Sequence, residues 1–397
     1  MDQDRPTSAE DIRTLRAEKA SLRARDFCDT YGLAEAQLVA AYTGHGSTRL
    51  TAHPDALMPR IERLGEVMAL TRNASCVHER VGTYGNYKSG PHAAMILQPE
   101  IDLRLFPSHW VSAFAVETET DAGVRRSIQV FDAAGDAVHK IHLRDTSNHA
   151  AWAEVIAELA NGDSSDTLEV APRKPAETPK VNHDKLDLLR SEWSKMTDTH
   201  QFLRLTSKLK MNRLGAYRHV GAPYVDRLDT GAVDAALQSL AGSGTEVMLF
   251  VGNRGCIQIH GGEIKTLKAM GPWQNVMDPR FNLHLRLDHI AEVYAVSKPT
   301  QRGPALSLEA FDAEGGIILQ IFGRRTEELD SRPAWQEILS ALPRSQEEQL
   351  VCCVVRPSPP ACPPCSALPS PHRLRIGCCP SAAPSLRSST HWAPVTG

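Results

Sequence analysis

Apolar positions along this chain follow two rhythms, and the change between them repeats. Residues 8–27, SAEDIRTLRAEKASLRARDF, place apolar side chains at helical spacing among charges, and a second helix is predicted near 33–42. From Gly65 the rhythm shortens. VMAL, MIL, LRLF, FAVE and SIQVFDAAGDAVHKIHL read as strands broken by turn residues, with FDAAG at 131–135 as a hairpin turn. A helix around 149–159 closes the series.

The series then returns 180 residues later. Glu66, Val67 and Met68 recur as Glu246, Val247 and Met248, and Asn73 and Cys76 as Asn253 and Cys256. Leu103 and Leu105 recur as Leu283 and Leu285, His109 as His289, and Phe131, Asp132 and Ala133 as Phe311, Asp312 and Ala313. Ala151 and Trp152 match Ala334 and Trp335 at a slightly larger offset. Chance does not hold one register over such a span, so the chain is two copies of one helices-then-sheet unit. The expected fold is α+β, a tandem duplication of two similar halves, each a large antiparallel sheet with packed helices. The expected boundaries are a first repeat over 8–160, a linker rich in Pro, Ser and charge over 161–184, and a second repeat over 185–344. A tail over 345–397, rich in Pro, Ser and Cys and without acidic residues past 348, is expected to be disordered.

Within the second repeat, residues 196–221 (MTDTHQFLRLTSKLKMNRLGAYRHVG) begin with a helix start signal. Thr197 or Asp198 can cap, with Gln201 placed as in a capping box. Phe202, Leu205 and Leu209 form the stripe to be buried; His200, Arg204 and Lys208 follow another face. The positive helix N-terminus disfavours an imidazolium, leaving His200 a free lone pair for a metal. On these residues alone the plainer reading is a half-buried structural histidine.

Composition narrows the classes. The 397 residues carry a formal charge of −3 and 42% hydrophobic residues, with no apolar run of membrane-spanning length and no secretory signal. A soluble cytoplasmic protein with no affinity for nucleic acid is expected. Cys28, Cys76 and Cys256 read as reduced thiols. Phosphate-binding loops, GxGxxG, HExxH, GxSxG and CxxCH are absent. His139 and His142, three apart in a strand pattern, are expected on opposite faces.

Residues shared by the halves make the fold; residues that differ mark a site that settled in one place. Arg104 stands opposite His284, His78 opposite Gln258, and Thr118 opposite Lys298. His200 meets Ala20 at the 180 offset, or Ala24 when Leu38 is matched to Leu214. The odd residues are basic or imidazole and come from both halves, which implies one cleft between halves for something negatively charged, with or without a metal.

The stretches LTRNASCVHERVG (70–82), EIDLRLFPSHW (100–110), MTDTHQF (196–202), GNRGCIQIHGG (252–262), LKAMGPWQNVMDPRFNLHLRLDHIAEVYAVSKPT (267–300) and SLEAFDAEGGIILQIFGRR (307–325) carry a resemblance. The chain resembles the cytoplasmic haem-utilisation proteins of bacteria called hemin-degrading factors, or HemS/ChuS-like proteins. The resemblance implies haem b (iron protoporphyrin IX) in a cleft between halves. It implies His200 as axial iron ligand and Arg104 on the opposite face, as a catalytic residue holding an iron-bound ligand by hydrogen bonds. Arg213, Lys298 and Arg325 are implied to bind propionates, Phe250 and Gln320 to lie near the porphyrin, and His78 to serve a second haem. The implied activity is haem degradation to release iron, with an external electron donor; the alternative is a chaperone delivering haem to a separate haem oxygenase. Implied partners are an inner-membrane haem ABC transporter as donor and a haem oxygenase or reductase as acceptor, with the protein a monomer or dimer.

Overall fold

The computed structural model describes residue 6 and residues 8–345; the expected tail beyond Ser345 lies outside them. Among the described residues, with strands numbered in chain order, two nine-stranded antiparallel sheets form. The first runs β1 (Ser47–Leu50), β7 (Ser112–Thr120), β8 (Gly123–Phe131), β9 (Ala137–Leu143), β2 (Glu66–Arg72), β3 (Cys76–Thr83), β15 (Phe281–Arg286), β14 (Trp273–Asp278), β13 (Leu267–Met270). The second runs β10 (Val225–Leu228), β16 (Glu292–Lys298), β17 (Ala305–Phe311), β18 (Ile317–Gly323), β11 (Val247–Gly252), β12 (Cys256–Gly262), β6 (Asp102–Leu105), β5 (Ala94–Leu97), β4 (Tyr87–Lys88).

The duplication is visible in the pairing. His78 faces Leu283 across β3 and β15, and Gln258 faces Leu103 across β12 and β6, so the same contact recurs 180 residues on. The bulge between Val130 and Phe131 recurs between Ala310 and Phe311. Each sheet, however, takes six strands from one half and three from the other. Asn73 and Asn253 lock this crossing. The Asn73 side chain donates to the carbonyls of Gly252 and Ile318, and that of Asn253 to those of Arg72 and Val138.

Alternation along the strands decides where the core lies. In β11, Val247, Leu249 and Val251 are buried against the helices Ala232–Leu240 and Arg332–Ala341; in β2, Val67 and Ala69 meet Pro54–Ile61 and Trp152–Leu159. Each such large aliphatic side chain contributes roughly 1.5–3 kcal/mol by leaving water.

The other face of each sheet lies on the side of the N-terminal helices of its half. In the second half, Leu186–Ser194, Gln201–Lys208 and Arg213–Val220 join Tyr294, Val296 and Phe311 of the sheet in one cluster built on Trp193, Phe202 and Tyr217. In the first half, Ala9–Glu18, Ala24–Tyr31 and Glu35–Ala40 pack on one another through Ile12, Phe27, Leu33 and Leu38, and Glu35–Ala40 also meets the sheet, through Ala36 and Ala40 against Phe114 and Phe131. The single helix predicted over 8–27 is therefore two: the chain leaves helical geometry at Lys19 and re-enters after the extended Arg23, which brings Phe27 and Cys28 into one cluster with Ile12. Residues 161–182 carry no helix or strand but are strapped down: Arg49 donates to the carbonyls of Ser165 and Thr167, and Ala171 N–H to that of Ala133.

Candidate functional site

Cross-strand register places four of the predicted residues, Arg104, Phe250, Lys298 and Gln320, on one surface. Glu309, Gln320, Phe250, Ile259 and Asp102 stand directly opposite one another on β17, β18, β11, β12 and β6, so they share a face. Arg104, two residues from Asp102, joins them, and Lys298 does so from β16. Phe250, Phe322, Ile257, Gln320 and Arg104 are half-buried there, with the rings of Phe250 and Phe322 5.4 Å apart. Arg104 reaches this surface because β6 has crossed into the second half's sheet. The cleft expected between halves is thus one sheet face assembled from both.

His200 stands at the entrance to the helix Gln201–Lys208, at the N-cap position just before the first helical turn. Its backbone N–H donates to Asp198 Oδ1 (2.7 Å), while Thr197 and Gln201 exchange hydrogen bonds (2.9 and 3.1 Å) in the manner of a capping box. Phe202 and Leu209 are buried and Leu205 is half-buried, as the stripe predicted. His200 itself is exposed, not half-buried, and neither ring nitrogen has a hydrogen-bond partner among the described residues. Gln301 N–H donates to Thr197 O (3.0 Å), tying this segment to the loop that follows Lys298.

Beneath the helix lies a charge cluster that the sequence reading did not assemble. Glu309 is fully buried; it accepts from Lys298 Nζ (2.8 Å), Arg213 Nη1 (2.9 Å), Tyr217 Oη (3.0 Å) and Ser307 Oγ (2.8 Å). Burial opposes its ionisation, yet Lys298 and Arg213 outweigh that and hold the carboxyl down at about 2. Lys298, with its side chain 4% exposed, is lowered to about 8 by burial against the pull of Glu309. Phe202 covers both cations, its ring centroid 5.0 Å from Lys298 Nζ and 5.5 Å from Arg213 Cζ.

Two of the three cations expected on propionates, Arg213 and Lys298, are thus matched inside the protein. Lys298 is enclosed. Arg213 spends only Nη1 on Tyr217 and Glu309, and its side chain remains one quarter exposed. Arg104 donates to Asp102 and to the Leu103 carbonyl. Arg325 is exposed in the turn after β18, bridged through its backbone to Asp330.

His78 corrects its expectation. It is 0% exposed between the sheets, 5.0 Å from the Phe281 ring, with both nitrogens unpartnered, so an incoming macrocycle has no route to it. His139 and His142 do point to opposite faces. His139 is buried, with Thr71 and Tyr84 on its two nitrogens.

Comparison with known proteins supplies the frame for this geometry. The family model described as "Haemin-degrading HemS.ChuX domain" matches residues 32–159 and again 210–342. This chain belongs to the HemS/ChuX family. It is 38% identical over 328 residues to the hemin transport protein HmuS of Yersinia pestis, covering 82% of this chain and 94% of that one. Among solved structures it is similar to holo-PhuS, a heme-binding protein from Pseudomonas aeruginosa, at 39% identity and a TM-score of 0.80 over 85% of this chain and 98% of that one. It is also similar to ChuS, an E. coli heme oxygenase, at 33% identity and a TM-score of 0.74 over 83% and 98%. The two matched regions of the HemS/ChuX model fall on the two halves that the repeat defined. Among the described residues no helix is long and apolar enough to cross a membrane, and no three His, Cys, Asp or Glu side chains gather as a metal site.

Proposed function

We propose that this protein binds haem b on the open face of its second sheet and degrades it to release iron in the cytoplasm. The observation that carries this reading is His200, an exposed imidazole with both nitrogens free at the edge of the helix layer over that face. One imidazole cannot hold a bare ion, but it suffices for iron that already sits in a macrocycle. The half-buried Phe250 and Phe322 suit a porphyrin ring, and Gln320 lies beside them. Arg213, through its unspent guanidinium nitrogens, and the exposed Arg325 offer cations to propionates. Lys298 acts there by charge through the cluster that encloses it.

Arg104 has no lone pair for iron, so its part is to donate hydrogen bonds over the far face of the ring. Bound haem supplies the redox-active iron; the electrons come from a partner reductase, since the chain carries no flavin or nicotinamide motif. The exposure of His200 favours a second reading as well, a chaperone that receives haem from an inner-membrane ABC transporter and hands it to a haem oxygenase. A hemin titration followed by reductant in air tests both. A sharp Soret band that His200→Ala abolishes supports binding, bleaching supports degradation, and a stable spectrum supports delivery. A titration without a Soret band overturns the reading.

A further inference from the structure

The charge cluster beneath Phe202 exists in one half only. The 180-residue match sets Thr118 against Lys298 and Gln129 against Glu309, and the Leu38–Leu214 match sets Gln37 against Arg213 and Ala41 against Tyr217. The first half builds a sheet of the same register with these uncharged residues: Ser127 faces His142 as Ser307 faces Phe322. The fold therefore does not need charge at these positions. The second half keeps it there although Glu309 and Lys298 are both buried, which costs the hydration of a carboxylate and an ammonium.

Arg213 and Lys298 stand under the helix that starts just after His200, with the Phe202 ring over both. Alone, two cations so close would repel each other. Glu309 supplies the missing anion. Its Oε1 accepts from Lys298 Nζ (2.8 Å) and Ser307 Oγ (2.8 Å), its Oε2 from Arg213 Nη1 (2.9 Å), and Tyr217 Oη reaches both oxygens (3.0 Å). Charged and hydroxyl donors converging on one carboxylate are the set that a ligand carboxylate also requires. Glu309 cannot vacate that seat, because it stands within β17, paired to Tyr294 of β16 and Gln320 of β18. A carboxylate that reaches Arg213 on its exposed side thus meets a guanidinium already shared with an anion.

We propose that Glu309 is a built-in stand-in for a ligand carboxylate. It holds Arg213 and Lys298 charged and in place while the face is empty, and its charge opposes the carboxylate that arrives, which loosens the hold on the ligand and eases its release. The inference rests on the haem reading for the ligand, whose propionates are the carboxylates in question; the seat itself rests on the cluster.

The test titrates the full chain, wild type and Glu309→Gln, with hemin and with hemin dimethyl ester, whose carboxylates are capped, and checks folding by circular dichroism. Glu309→Gln should bind hemin roughly tenfold tighter than the wild type does, with the affinity for the ester unchanged to within about twofold. Equal hemin affinity in the two proteins would overturn the proposal and leave the haem reading intact. Hemin and ester weakened alike would show that Glu309 only supports the fold, and would overturn it too. Glu309→Ala tests the seat without haem: potassium acetate should raise its resistance to urea, or restore its folding, beyond what the same concentration of potassium chloride does, and should leave the wild type unchanged. No gain from acetate would overturn the seat. A wild type without a Soret band, beside an intact acetate rescue, would overturn the haem reading and keep the seat.

Discussion

In the second half, Phe202, Tyr217, Lys298 and Glu309 close the space between helices and sheet; in the first, Thr118 and Gln129 line a cavity there. The strands, their register and even the bulge are the same, so the backbone plan does not determine which outcome occurs. A few side chains on one face do. In the closed half, order is bought with a buried carboxylate and two cations, an arrangement that tolerates no missing member.

The largest test of this contrast is Glu309→Ala, which leaves Lys298 and Arg213 without their anion. Urea denaturation should show a loss of about 3–5 kcal/mol, against under about 1 kcal/mol for Gln129→Ala at the matching position. Equal losses would mean that the halves are stabilised alike. Acid should expose the same asymmetry. The Glu309 carboxyl is held below its ordinary 4.5, so its contribution is complete above about 4.5 and fades as pH falls toward about 2. The amount is about 3 kcal/mol, and a Glu309→Gln variant should lack that part of the acid profile.

His200→Ala, whose counterpart is already Ala20 or Ala24, should weaken hemin binding roughly 100-fold, read from the Soret titration. Gly255→Ala probes the junction of the halves. A Cβ there would lie 2.5 Å from Val138 Cγ1, so a loss of about 1–3 kcal/mol is expected. Its counterpart Ser75 already fits a side chain, and Ser75→Ala should cost only about 1 kcal/mol through the hydroxyl's bond to His289. Smallest in affinity is Arg104→Ala, expected within about threefold of wild type but with an altered bleaching rate, since its guanidinium is engaged by Asp102 and does not bond iron.

Much of this was legible beforehand. The 180-residue echo gave the duplication, and it is repeated in the pairs His78–Leu283 and Gln258–Leu103. Alternation separated His139 from His142. The exchange of strands was not legible, because apolar period reports which residues face a core but not which sheet a strand joins. Glu309 was missed because an acidic residue in a strand reads as solvated. The signal is that it stands between Leu308 and Ala310 and on the same face as Lys298, where its first-half counterpart is the neutral Gln129. The first-half cavity has no motif of its own: Ala20, Ala24 and Thr118 stand where the second half carries His200 and Lys298, and small residues make room without a chemical signature.

The crossing of β6 and β15 also constrains how the chain comes into being. A ribosome that has released only the first copy has made a sheet whose β3 flank is bare and an arm, β4 to β6, with nothing to lie against. Exposed strand edges of that kind recruit neighbours, and partners far apart in sequence are found slowly. Severed within the 161–184 strap, the molecule should yield two sticky fragments that recover solubility only when mixed, because every finished layer belongs to both.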